Sequence, residues 1–186
     1  MFDSQRMSML QRLLDKEEIR ESLCRYARGV DRGDWDLVRS TYHADAYDEH
    51  GDYVGGIDGF IEYLDRRFSD IDNSVHFLGN SLIEFSGPDV ALVETYFVSR
   101  RLRPASEVDG SIAGPEDAIA RELWGRYVDR FERRNAEWKV AHRTVVREAF
   151  SSAVALGGRR YGNHRWGRRD GQDRLYELRA EIFQGK

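Results

Sequence analysis

At 186 residues, with 40% hydrophobic and 12% aromatic content, the chain is long enough for one domain with a substantial core and too apolar for general disorder. Its formal net charge of −4 and pI near 5.8 exclude a general nucleic-acid binder, whose affinity depends on basic charge. The single Cys24 excludes an internal disulfide and a cysteine-rich zinc site, and it points to a reducing, cytoplasmic location. No apolar run approaches the roughly 20 residues of a membrane span, so no membrane partner is expected. The first fourteen residues, with Asp3 and no long apolar core, do not read as a signal peptide.

Met7, Leu10, Leu13 and Leu14 form a short amphipathic stretch. Asp15 followed by Glu18 has capping-box spacing and predicts a helix start, with Asp in place of the usual Ser or Thr. Ile19, Leu23, Tyr26, Ala27 and Val30 recur at spacings of three and four, which marks one buried helix face up to Gly29–Gly33. Asp31 continues that apolar row. A carboxylate there needs a partner, or it costs roughly several kcal/mol in desolvation. Asp34 is expected to cap a second short helix through Trp35, Leu37, Val38 and Tyr42. Asp45 to Val54, with a turn near Gly51-Asp52, predicts a solvated hairpin. Gly55-Gly56 ends it, and Ile57, Phe60, Ile61, Leu64 and Phe68 follow at helical spacing.

After Asp72-Asn73 the period changes to two. Long strands are predicted over about 75–85, 90–102, 119–134 and 138–150, with compact turns at 86–89 and 134–137. Residues 103–117 hold two prolines, two glycines and four acids, the composition of a long loop. Helices first and then an antiparallel meander give an α+β class, with the helices on one face of a curved sheet. Residues 1–150 read as the domain. Residues 151–186 read as a C-terminal extension, rich in Arg and Gly from 157 and lying over solvent or a neighbouring surface.

Several side chains carry possible chemistry. On its strand His76 shares a face with Leu78, Asn80 and Leu82, and Val75, Phe77 and Ile83 take the other. A carboxylate that bonds one imidazole nitrogen fixes the tautomer and leaves the other nitrogen as a base. Arg143 alternates with Ala141 and Val145, as either a core ion pair or an anion-stabilising group in a cavity. Tyr26 lies five residues before Asp31, about 140° away on an ideal helix. The two face one pocket only if the pocket is broad or the helix is ending. Glu94 and Tyr96 share a strand face and, with Phe77, are the expected substrate-binding residues. Arg121, Arg126, Arg130 and Arg147 read as solvated partners of Glu122, Asp129 and Glu132. The chain has no GxSxG, P-loop, HExxH or GxGxxG after a strand. His43 and His50 flank Asp45, Asp48 and Glu49 at irregular spacing, which suits a solvated hairpin and not a metal site.

Three stretches together resemble the SnoaL-like branch of the NTF2-like superfamily. They are Leu14–Arg20 with Tyr26–Trp35, Val75–Asn80, and Arg126–Arg133 with Trp138–Arg143. The resemblance covers roughly residues 10–150. It implies a cone-shaped α+β barrel, a strongly curved sheet wrapped round a long helix and enclosing a deep apolar pocket. It implies a homotrimer and a lyase of the scytalone dehydratase, bile-acid 7α-dehydratase or hexachlorocyclohexane dehydrochlorinase type. By motif the family's Asp, His and Arg fall on Asp31, His76 and Arg143, and Tyr26 matches the tyrosine of the bile-acid type. The expected activity is a cofactor-independent elimination on an apolar alicyclic or polycyclic molecule, with His76 as base. A steroid or polyketide isomerase or cyclase, and a protein that only binds a small ligand, are the alternatives. The chain departs from the family in the strand 90–102, which has no second pocket histidine and carries Glu94 as its nearest acid.

Overall fold

The computed structural model describes residues 2–104, 118–155 and 164–183. α1 (Phe2–Arg32) leads into α2 (Trp35–Ser40), β1 (Tyr42–Glu49), β2 (Val54–Gly56) and α3 (Ile57–Arg67). Four long strands follow: β3 (Asn73–Phe85), β4 (Val90–Pro104), β5 (Ala118–Arg134) and β6 (Glu137–Ala155). α4 (Arg174–Phe183) comes last.

The six strands form one curved, unclosed sheet in the order β2-β1-β6-β5-β4-β3. All pairings are antiparallel except β1 with β6, which run parallel. α1 and α3 lie in the concave face, so this is the expected cone-shaped α+β fold. Ile19, Leu23, Tyr26 and Val30 of α1 pack with Phe60 and Leu64 of α3 against Val93, Phe97, Tyr127, Phe131 and Val140 of the sheet. Among the described residues no helix is long and apolar enough to cross a membrane.

Several local expectations need correction. α1 does not start at Asp15. It runs through from Phe2, and the Asp15 carboxylate lies buried in mid-helix. Tertiary donors have recruited it: Trp138 Nε1–H at 3.1 Å and Arg133 Nη1–H at 3.2 Å. Asp34 does cap α2, its Oδ1 accepting from the Leu37 N–H at 3.0 Å, but Tyr42 already belongs to β1.

A bulge in β3 changes which side chains share a face. The register steps from Leu78 opposite Phe97 to Ser81 opposite Thr95. One extra residue reverses the alternation beyond it. His76 and Leu78 therefore point inward together with Ser81 and Ile83, and Leu82 points out. A second shift, between Arg130 and Phe131 of β5, puts Val140 on the inner face with Arg143.

The expected loop beyond Pro104, residues 105–117, lies outside the described residues, as do 156–163 and 184–186. The described part of the tail does not lie over solvent but docks on the end of α1. Arg169 Nη1 donates to the Val30 and Asp31 carbonyls at 2.7 and 3.0 Å. Asp173 pairs with Arg32 at 3.6 Å, and the Tyr176 hydroxyl donates to Asp34 Oδ2 at 3.1 Å.

Candidate active site

The buried carboxylate singled out at the end of α1 has its partner. Asp31 Oδ1 meets His76 Nδ1 at 2.7 Å. The same carboxylate accepts from the Ser74 hydroxyl at 2.9 Å and from the His76 backbone N–H at 2.8 Å. Inward-facing residues of the edge strand β3 thus close on the last turn of α1. Gly33, at φ 68°, turns the chain away directly afterwards, a conformation that favours glycine. Burial raises the Asp31 pKa, but the hydrogen bonds and charge of His76, with the Ser74 hydroxyl, more than offset this and leave it below the usual carboxylate range. Asp31 is therefore an ionised acceptor. His76 is thereby held through Nδ1, with Nε2 directed away from the carboxylate.

Arg143 resolves the choice left open by its spacing: it is a core ion pair. Its side chain is fully buried, and it donates to both Asp129 oxygens, at 2.8 and 2.6 Å. Asp129 is therefore not a solvated partner of surface arginines. The guanidinium lies 4.2 Å from the ring centroids of both Tyr26 and Tyr127, and Nη1 donates to the Tyr42 hydroxyl at 3.2 Å. Burial works against its charge, and Asp129 with Tyr42 more than restores it. Tyr26 is buried in the same stack, and burial raises its phenol pKa while Arg143 pulls it down. Asp31 and His76 form one pair at the end of α1. Arg143 and Tyr26 form a separate buried network.

A cavity of about 430 Å³ lies between α3 and the inner faces of β4, β5 and β6, a size suited to a small molecule. Tyr63, Ile71, Leu123 and Val145 give it apolar walls. Five arginines line it (67, 101, 103, 121 and 147) against two carboxylates, Asp70 and Glu122. In a chain of net charge −4 this is a local excess of positive charge, which favours negative charge developing on a bound molecule. Arg101 is packed over the Phe68 ring at 4.4 Å, and burial and the nearby Arg67 lower its pKa. Ser99, directly opposite His76 in the ladder, lines this cavity; His76 does not, and with Asp31 it lines a separate pocket beside Cys24, Ala27, Arg28 and Leu175.

Glu94, Tyr96 and Phe77 are on the outer face of the sheet. Glu94 pairs there with Arg126 at 2.5 Å, Tyr96 is exposed, and Phe77 is 73% exposed. Strand alternation decides this: each is one residue out of step with an inward neighbour, Thr95, Phe97 or His76. Arg121 and Arg147 line the cavity instead of pairing across strands with Glu122 and Glu132.

Sequence reasoning missed His50. The stretch 45–54 reads as a solvated hairpin, yet Asp48 is 1% exposed and His50 lines the cavity. His50 Nδ1 lies 3.2 Å from Asp48 Oδ1, and Asp48 Oδ2 accepts from the Tyr42 hydroxyl at 2.7 Å. The available signal was the period-two row Ala46, Asp48, His50, which continues one inward face of β1. Among the described residues no cluster of His, Cys, Asp and Glu has the makings of a metal site.

Comparison with known proteins places these features in context. The SnoaL-like domain model matches residues 11–144. A protein from Novosphingobium aromaticivorans DSM 12444, provisionally named a scytalone dehydratase, superposes with a TM-score of 0.66 at 15% identity, covering 83% of this chain and 99% of its own. The hexachlorocyclohexane dehydrochlorinase LinA-type3 from Novosphingobium barchaimii LL02 gives 0.66 at 18% identity, over 83% and 99% of the two chains. The Kfla4162 protein from Kribbella flavida gives 0.64 at 17% identity, over 74% and 93%. No curated protein matches the sequence.

Proposed function

The chain belongs to the SnoaL-like domain family, and from that premise we propose that it is a cofactor-independent lyase that eliminates a small group from an apolar alicyclic or polycyclic molecule. The observation that carries this is the 2.7 Å contact between the ionised Asp31 and His76 at the closed end of α1. A carboxylate held by three donors orients the imidazole and stabilises the imidazolium that forms when His76 removes a proton. The electron pair released from carbon forms the new π bond, and the leaving group departs with the electrons of its own bond. The dehydrochlorinase and dehydratase names among structures of the same fold support this class of reaction.

The test is turnover of hexachlorocyclohexane and a panel of alicyclic β-hydroxyketones, with products read by mass. Loss of water or of hydrogen chloride is expected. His76→Ala is expected to lower kcat about 10²–10⁴-fold, the usual share of general base catalysis. A product of unchanged mass would instead make the protein an isomerase, and full turnover by His76→Ala would remove His76 as base. We also propose a cytoplasmic homotrimer that associates through the outer sheet face, where Phe77, Leu82, Leu92 and Trp124 are exposed.

A further inference from the structure

We propose that His50, positioned by Asp48, is a second proton-transferring residue and the one whose imidazole faces the cavity directly. This deepens the lyase proposal and rests on the cavity being a site of elimination. Three observations lead to it. His50 lines the 430 Å³ cavity. Its Nδ1 lies 3.2 Å from Asp48 Oδ1, while its Nε2 has no hydrogen-bond partner among the described residues. Its ring is fixed against Phe60, centroid to centroid at 4.9 Å, and its backbone N–H is held by the Tyr53 carbonyl at 2.8 Å.

The tautomer follows from the partner. Asp48 can only accept when ionised, so neutral His50 donates Nδ1–H to it and presents the Nε2 lone pair. Asp48 is itself held in place. It accepts the Tyr42 hydroxyl at 2.7 Å, Tyr42 accepts from Arg143, and Arg143 is clamped by Asp129. The buried Arg143–Asp129 pair, which does not line the cavity, thereby gains a purpose: it anchors the carboxylate that orients a cavity-facing base. Burial lowers the His50 pKa, Asp48 pulls it back up, and Arg143 of β6 and Arg101 of β4 lower it. His50 therefore rests as the neutral base. In contrast to His76, it lines the arginine-rich cavity.

The step His50 performs is removal of a proton from carbon by Nε2. The C–H electron pair forms the new π bond, the leaving group departs with the electrons of its own bond, and the imidazolium returns its proton to solvent. A probe with this chemistry needs no knowledge of the natural substrate. 5-Nitrobenzisoxazole loses its C3 proton to a base, its N–O bond breaks, and the pair leaves on the phenolate oxygen of the coloured product. Its size and apolarity fit the cavity.

The experiment measures that ring opening with wild-type protein, His50→Ala, His50→Gln, Asp48→Asn, His76→Ala and the control His142→Ala, each checked for an unchanged melting midpoint. Wild type is expected to exceed free imidazole at equal concentration. His50→Ala and His50→Gln are expected to lose about 10²-fold, the lower end of the general-base range, with Gln filling the same space. His142→Ala, at a partly exposed imidazole paired with Glu49 and outside the cavity, is expected to stay within about threefold of wild type. Asp48→Asn is expected to shift the midpoint of the pH–rate profile downward, because it removes the carboxylate facing His50 while Arg143 and Arg101 remain. A merely structural role for Asp48 would lower the amplitude without moving the midpoint. A wild-type rate no faster than imidazole overturns the proposal. So does loss of activity in His76→Ala with retention in both His50 variants, an outcome that leaves His76 as the base and the lyase proposal standing.

Discussion

Asp129 and Arg143 show what a charge pair costs and gives when it has no access to water. Both side chains are fully buried, and three hydrogen bonds, two to Asp129 and one to the Tyr42 hydroxyl, compensate the guanidinium together with two aromatic faces. Breaking a buried pair by removing one partner leaves the other charge uncompensated, at about 3–5 kcal/mol. Asp129→Asn is therefore expected to lose about that much in urea unfolding, more than any exposed ion pair such as Arg66–Glu62 could give. Asp31 makes a different prediction, one that depends on pH. Its folded pKa lies below the usual carboxylate value, so its ionised form stabilises the fold. That contribution is complete above the unfolded pKa of about 3.9 and is lost as pH falls through the lower folded value. The stability gap between wild type and Asp31→Asn should be flat above about pH 5 and narrow progressively below about pH 4. Urea midpoints measured across that range check it. An unchanged gap in acid would mean that Asp31 is not held ionised.

At the scale of elements, the tail and α1 act together. The last carbonyls of a helix lack intrahelical donors and attract cations. Arg169 supplies both needs, donating to the Val30 and Asp31 carbonyls and lying 4.7 Å over the Phe68 ring. Burial, despite the attraction of Asp31, lowers its pKa to about 10, so it is still charged at neutral pH. Arg169→Ala should loosen the last turn of α1, costing about 1 kcal/mol there. Amide exchange at residues 29–34 should quicken while exchange in β5 stays as in wild type. Equal quickening in both would mean global destabilisation instead of local release. This docking was not legible in sequence, because a basic, weakly periodic segment carries no sign of the surface it will meet. The helix face from Ile19 to Asp31, the cap at Asp34 and the long strands were legible, since each depends on local spacing. The faces of Leu82 and Val140 were not, because a single bulge residue inverts every alternation after it. The pairing of Asp31 with His76 could only be expected from the family motif, and Asp48–His50 was passed over because three polar residues in a row hide a strand whose alternate members are buried.

For the whole molecule, the sheet raises a question that a single chain leaves open. Its inner face is filled by the helices and the cavity. Its outer face carries Phe77, Val98 and Trp124 in one cross-strand row, with Leu82 and Leu92 two and three outer rows further along, beyond Tyr96 and Arg126. Phe77 is 73% exposed and Trp124 52%. Scattered apolar residues need no explanation on a soluble surface, but a contiguous row of large ones marks a binding face. The Glu94–Arg126–Glu148 ion pairs lie on the same face and would supply the polar rim that fixes register between subunits. If this face makes the proposed homotrimer, light scattering should give three times the 21.6 kDa chain mass. Phe77→Asp with Trp124→Asp should then release monomers, because two unpaired charges would be buried at the centre of each contact. The monomers should retain the helical and sheet signals of the folded chain, since neither side chain reaches the core. A wild-type protein of single-chain mass would exclude the trimer. A trimer undisturbed by both substitutions would move the interface to another face of the molecule.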